Sequence, residues 1–218
     1  TIQRVRYIFR DSLDTLANLV TLSVDPADIV RRPRLLLKAP FAAWRARPRR
    51  VGSGPVLAQE TSIDQLPQLK SWPKDGGAYI TLPLVYTEDP DRPGLPRSNL
   101  GMYRIQLSGG QYEVNRQVGM HYQIHRGIGV HHAEALAKGQ PLPVNDFVGG
   151  PPSLSLAAVM PLPEGMPELA FAGLLGGHRL PVVKTPNGLL APAQADFCLC
   201  GEILLDQMRP EGPFGDHL

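Results

Sequence analysis

The stretch Trp72-Pro73-Lys74-Asp75-Gly76-Gly77-Ala78-Tyr79-Ile80-Thr81-Leu82-Pro83-Leu84-Val85-Tyr86 is where the chain changes character. Pro73, Asp75 and the Gly76-Gly77 pair form a strong turn signal, because proline presets φ and glycine bends without steric cost. Residues 79–86 then read as a strand, rich in β-branched and aromatic side chains. Downstream, residues 102–107 read as a second strand closed by Gly109-Gly110, and residues 122–128 as a third. Residues 144–148 and 180–184 are short strands, and residues 197–205 a longer one. Residues 130–138 predict a helix stopped by Gly139, and residues 168–175 a helix with Gly176-Gly177 past its end. Residues 154–159 suit either a strand or a short apolar helix. From about Trp72 onward the sum is a β-rich, barrel-like domain.

Upstream the pattern differs. Residues 51–73 read as a connector. Residues 25–50 predict helical pieces broken by Pro26, Pro33 and Pro40, and residues 2–24 carry loose helical spacing through Val5, Ile8, Leu13, Leu16, Leu19 and Val20. Two basic runs, Arg31-Arg32-Pro33-Arg34 and Arg45-Ala46-Arg47-Pro48-Arg49-Arg50, flank an apolar stretch. They suit a helix or linker covering a neighbouring domain better than a membrane-surface helix, because the patch is short and proline-broken.

The 218 residues carry a net charge of only +2, which argues against a nucleic-acid partner or an anionic membrane. No apolar run is long enough for a transmembrane helix, and residues 1–10 lack the apolar core of a signal peptide. Cys198 and Cys200, two apart in a strand, point to one face. They lack the second pair that a thiolate metal cage needs, so they read as half-buried thiols of a cytoplasmic protein.

Three constellations and the terminal loop carry chemistry. In Ser98-Asn99-Leu100-Gly101-Met102-Tyr103-Arg104, Asn99 offers an amide oxygen, Gly101 lets a ligand approach the backbone, and Arg104 presents a fork of donors. In Met120-His121-Tyr122-Gln123-Ile124-His125-Arg126-Gly127, the two histidines share a face if the segment is extended. An ordinary polar strand surface accounts for them equally well. Glu168 follows a proline-rich turn and opens an apolar helix, where the macrodipole alone would favour an acid. Together Asn99, His125 and Glu168 would make an O/N/O donor set suited to a hard divalent ion such as Mn²⁺ or Mg²⁺, with a phosphate-bearing cofactor able to complete the coordination. The terminal loop Pro210-Glu211-Gly212-Pro213-Phe214-Gly215-Asp216 holds two carboxylates on a rigid turn. Such a pair can divide acid and base roles between its members.

These motifs, in this order over roughly residues 50–218, resemble the UbiD family of reversible decarboxylases that use prenylated FMN. The resemblance implies an α+β chain: a split β-barrel flavin-binding domain over 71–218, preceded by a partial N-terminal α/β domain and linker over 1–70. It implies Asn99, His125 and Glu168 as Mn²⁺ ligands, and carbonyls of Ala157, Ala158 and Met160 near a K⁺ ion. It implies a cofactor pocket of Asn99, Met102, Tyr103, Arg104, His121, Tyr122, Gln123, Arg126, Gly127, Met160 and Glu168. Arg104, Glu211 and Asp216 would form the catalytic triad acting on an aromatic or α,β-unsaturated carboxylic acid. Family members run to about twice this length. The expectation is therefore a chain that needs a C-terminal domain or partner chain, homo-oligomeric in its complete form. A non-catalytic flavin-binding or partner subunit is the alternative reading. A flavin reductase-like split barrel is weaker, since no Gly-x-Gly-x-x-Gly fingerprint is present.

Overall fold

The structure is a computed structural model that describes residues 3–4, 6–10, 12–14, 17, 39–125, 127–163, 165–205 and 207–214. Its strands are β1 (Arg49–Arg50), β2 (Tyr79–Ile80), β3 (Leu84–Glu88), β4 (Ser98–Met102), β5 (Ile105–Gln106), β6 (Gly119–Met120), β7 (Leu142–Gly149), β8 (Pro181–Lys184), β9 (Leu190–Pro192) and β10 (Ala195–Ile203). The described residues within 3–17 are helical, in keeping with the helical spacing expected over 2–24, and the helices from residue 39 onward are α1 (Ala39–Arg45), α2 (Gly127–Ala137), α3 (Pro152–Val159) and α4 (Glu168–Gly176). The strands form a four-stranded antiparallel sheet in the order β10-β7-β3-β4 and two three-stranded sheets, β1-β8-β9 and β2-β5-β6. The fold is α+β, as expected.

The single strand expected over 79–86 is two strands in two sheets. Pro83 has no N–H to give a ladder, and the chain bends over Thr81 and Leu82 before re-entering as β3. The strand expected over 102–107 divides in the same way: β4 pairs with β3, β5 pairs with β2, and Tyr103 and Arg104 form the corner between them. The two chain segments thus pass together from the large sheet to the small one. That shared corner is what positions Arg104.

No strand covers the described residues of 122–128. Only Gly119 and Met120 pair, with β5, and α2 begins at Gly127, three residues before the expected start. The glycines that looked like breakers serve close packing. A Cβ on Gly127 would lie 2.1 Å from the Asn99 Oδ1, and one on Gly129 2.3 Å from the Ile124 carbonyl. His121 and His125 therefore do not share one strand face. The ambiguous segment 154–159 is helical, in α3. The α4 helix ends as expected, with Gly177 left-handed at φ 73°.

Both faces of the four-stranded sheet are covered. Leu84, Tyr86, Leu100 and Phe147 face α3 and α4 through Leu154, Ala157, Leu169 and Ala172. Val85 and Val144, on the other face, pack with Ala78, Ile105, Leu107 and Ile128. A strand buried on both sides needs apolar residues at successive positions, which is why Leu84-Val85-Tyr86 shows no polar alternation.

Part of the upstream segment joins these layers. The β1 strand runs parallel to β8, extended by a bond from Val51 N to the Val182 carbonyl at 2.9 Å. The α1 helix confirms one expected helical piece, and its last carbonyl, at Arg45, lies 2.4 Å from where a Gly173 Cβ would stand. Most of the expectations for residues 1–38, including the first basic run, lie outside the described residues. No helix among the described residues is long and apolar enough to cross a membrane.

Candidate functional site

Arg104, at the corner between β4 and β5, holds Glu211 through two parallel bonds, Nε to Oε1 at 2.7 Å and an Nη to Oε2 at 2.8 Å. His121 Nδ1, just past β6, lies 3.0 Å from the same Oε2. The Phe214 ring lies under the guanidinium, 4.6 Å from its carbon, and stacks obliquely on Tyr79 at 5.6 Å. Three segments far apart in sequence thus meet on one carboxylate. Burial opposes the charged form of Glu211, but the hydrogen bonds and charge of Arg104, with His121 beside it, outweigh burial and hold Glu211 below the usual carboxylate range. The Arg104 side chain is 45% exposed and Glu211 17%, so the pair lies at an open edge of the protein.

Backbone docking fixes the acidic loop. Gly212 N donates to the Gln106 Oε1 at 3.2 Å, and Gly76 N to the Pro213 carbonyl at 2.7 Å. Gly76 and Gly77 keep φ outside the left-handed region. A Cβ on Gly76 would meet the Gly212 carbonyl at 2.4 Å, and one on Gly77 the Ser108 carbonyl at 1.7 Å. Their role is close approach of three backbones. The turn itself is closed by Asp75, whose carboxylate accepts the Trp72 N–H at 2.9 Å.

A second group of residues lies at the other end of β4. The Glu168 Oε2 accepts the Leu100 N–H at 3.1 Å. Burial raises the Glu168 pKa, partly offset by backbone N–H groups. Asn99 is adjacent, with its Oδ1 against Gly127 and its Nδ2 buried without a hydrogen-bond partner. Asn99 therefore sits between Glu168 and the segment two residues beyond His125, which is itself exposed. A cleft of about 230 Å³ opens beside Glu168, between Ser98 and the turn from Leu162 to Pro167. An amide with an orphaned buried atom beside a half-buried carboxylate and a cleft fits a hard cation and an oxyanion.

The remaining expected pocket residues take varied positions. Tyr103 and Tyr122 meet edge to face at 6.4 Å, and the Tyr122 hydroxyl hydrogen-bonds to His132 Nδ1. Both rings pack against the second core cluster with Met120. Gly101, expected to admit a ligand, instead makes room for the Tyr103 ring, which its Cβ would meet at 2.4 Å. Met102 is half-buried and Gln123 exposed. Met160 follows α3 with its N–H directed at the Ala157 carbonyl, 3.4 Å away. Arg126 and Asp216 lie outside the described residues.

Sequence reasoning misses the contact of His121 with Glu211, the Phe214 ring under Arg104 and the bond from Gly212 to Gln106. The doubled glycine Gly76-Gly77 is the one sequence signal for the docking of the acidic loop, and by itself it reads as turn chemistry. A cluster of Asp89, Asp91 and Glu134 also has no sequence signal. It is tied to Arg97 and Lys138 by ion pairs.

The family model for the UbiD 3-octaprenyl-4-hydroxybenzoate carboxy-lyase Rift-related domain matches residues 49–218. A Chlamydia pneumoniae protein that is named as one of the subunits of a 4-hydroxybenzoate decarboxylase is 45% identical over 170 residues, covering 74% of this chain and 26% of that protein. The closed form of the Sedimentibacter hydroxybenzoicus vanillic acid decarboxylase superposes with a TM-score of 0.70 at 28% identity, covering 83% of this chain and 39% of that one. An evolved dimeric form of the UbiD-class enzyme HmfF from Pelotomaculum thermopropionicum, in complex with prFMN, gives a TM-score of 0.67 at 26% identity, covering 78% and 39%. The chain spans about a third of the length of the curated relatives it matches.

Proposed function

The chain belongs to the UbiD family, and from that premise we propose that it forms the cofactor-binding part of a carboxy-lyase that reversibly decarboxylates an aromatic or α,β-unsaturated acid. The observation that carries this reading is Glu211 held bidentately by Arg104 and flanked by His121. A guanidinium fixed in orientation by one carboxylate suits recognition of a second, that of the substrate.

In this reading Arg104 orients the substrate carboxylate and Glu211 orients Arg104. Asp216, five residues along the same loop, gives a proton from its carboxyl to the carbon that has lost CO₂. Met102, Tyr103, His121, Tyr122, Gln123, Arg126 and Gly127 would contribute to binding the cofactor. Asn99, His125 and Glu168 would hold Mn²⁺, and the cleft beside Glu168 suits the cofactor phosphate. Carbonyls of Ala157, Ala158 and Met160 would face K⁺. Prenylated FMN, when bound, supplies the electron sink for breaking the bond to CO₂. The prFMN bound in the HmfF relative supports this cofactor. We place the protein in the cytoplasm.

The naming of the Chlamydia pneumoniae protein as one subunit among others favours a second reading, in which this chain is a non-catalytic flavin-binding or partner subunit of a split enzyme. One experiment tests both. The chain is loaded with prenylated FMN and Mn²⁺ and assayed for CO₂ exchange on a panel of aromatic acids, with and without a partner chain covering the rest of the family length. Exchange that depends on the partner and is lost in Glu168→Gln together with bound Mn²⁺ supports the proposal. Cofactor and Mn²⁺ binding without exchange in any combination selects the non-catalytic reading, and unchanged Mn²⁺ content in Glu168→Gln removes the metal assignment.

A further inference from the structure

Cys198 and Cys200 take no part in the site described above. Both lie on β10, an outer strand of the four-stranded sheet. Their register partners on β7 are Phe147 and Asn145, so both side chains project from the same face. The two sulfurs are 3.8 Å apart and hydrogen-bonded. Their surroundings differ. Cys198 is half-buried and packs against the core beside Val51 and Val56, whereas Cys200 is exposed. The chain contains no other cysteine.

We infer that Cys198 and Cys200 form a reversible dithiol–disulfide site, in which the exposed Cys200 reacts first with a small-molecule disulfide and Cys198 resolves the adduct. A thiolate is the nucleophile in such exchange, so the thiol that ionises more readily leads. The Cys198 thiol and the Thr185 hydroxyl both favour the Cys200 thiolate and lower its pKa, against the opposing effect of burial. Cys198 is pushed the other way by that same bond, by burial and by the nearby carboxyl of Asp146 on β7.

The reaction balances without any group from the flavin site. The Cys200 thiolate attacks one sulfur of R–S–S–R, the new S–S bond forms, and one RS⁻ leaves and takes a proton from water. Cys198 releases its proton to water and attacks the Cys200 sulfur, forming the intramolecular bond and expelling the second RS⁻. The two cysteines lose two electrons and two protons, and the small disulfide gains them as two thiols. An extended strand rises ~3.3 Å per residue, which puts the two Cα atoms roughly 6.6 Å apart. That is close to the upper limit of ~6.8 Å for a disulfide. Cys200 is exposed, so the bond lies within reach of small thiols and is readily reduced, the behaviour of a redox-sensing pair rather than a structural one.

The test uses the reduced chain and oxidised glutathione, followed by intact mass. The expected product has lost two hydrogen masses, carries no lasting glutathione, and reverts with dithiothreitol. Cys198→Ser is expected to retain one glutathione, and Cys200→Ser to remain unmodified over the same time. In the reduced wild-type chain, iodoacetamide at neutral pH should alkylate Cys200 roughly tenfold faster than Cys198, mapped by peptide mass. A wild-type chain that stops at a stable glutathione adduct, or that forms disulfide-linked dimers instead, overturns the inference. So does equal reactivity of the two thiols.

Discussion

Glu211 is the residue on which the site converges. Its two oxygens are shared between Arg104 and His121, and its loop is pinned by Gln106 and Gly76. Its folded pKa lies below the unfolded value, so its contribution to stability is present above about pH 4 and is lost as pH falls through the folded value. The ion pair is half-exposed on the Arg104 side, so solvent screens it and its net contribution is under about 1 kcal/mol. We predict that Glu211→Gln unfolds within about 1 kcal/mol of wild type in urea, yet loses ~10²-fold or more of decarboxylation in the complete enzyme. Near-normal turnover would show that the carboxylate is not needed. Arg104 and Glu211 are both legible in the sequence, because charged residues in glycine-rich and proline-rich motifs stand out. His121 is legible only as a member of a motif. Its contact with Glu211 joins residues ninety positions apart, and local pattern does not encode which distant loop a side chain will meet.

At the scale of elements, strand and helix identity are legible where hydrophobic period and glycine stops agree, as in β7, α4 and β10. They are misleading where glycine or proline has a tertiary role. Pro83 splits one apparent strand into β2 and β3, and Gly127 opens a helix at a point where Asn99 leaves no room for a Cβ. Asp146 shows the same limit. It lies in the middle of β7 opposite Val85 and Leu199, two members of an apolar cluster, and is 4% exposed with one oxygen unpartnered. Burial, with a smaller effect from Cys200, pushes its pKa up to about 8. The folded protein therefore keeps a proton there that the unfolded chain gives up near pH 4, and stability falls as pH rises from about 4 to about 8. The slope from this one group cannot exceed about 1.4 kcal/mol per pH unit. We predict that Asp146→Asn, which keeps size but cannot ionise, flattens the loss of stability over this window in denaturant titrations. A variant with the wild-type slope would assign the pH dependence to other groups.

Across the whole molecule, the two candidate groups of residues lie at opposite ends of β4, the metal-type donors around Asn99 and the Arg104–Glu211 pair beyond Met102. A cofactor with a phosphate at one end and a reacting ring at the other would span such an arrangement. The surroundings are wet, however. The His121 side chain is 57% exposed, and Ile124, on the same loop, is an apolar residue at 76%. Charge-stabilising contacts lose most of their strength in water, and a proton donor in contact with solvent keeps an ordinary pKa. A reacting centre of this kind needs a cover that excludes water. The matched relatives are about three times as long as the region they share with this chain, which makes additional chain the natural cover. We predict that the 218-residue chain alone binds FMN weakly and has no measurable CO₂ exchange. Adding a partner chain that supplies the remaining family length should tighten FMN binding at least tenfold, about 1.4 kcal/mol, and restore exchange. Flavin fluorescence titration and labelled-CO₂ incorporation read the two effects separately. Full turnover by the chain on its own would mean that the open edge around Arg104 is dry enough to work uncovered, and the argument from exposure would fail.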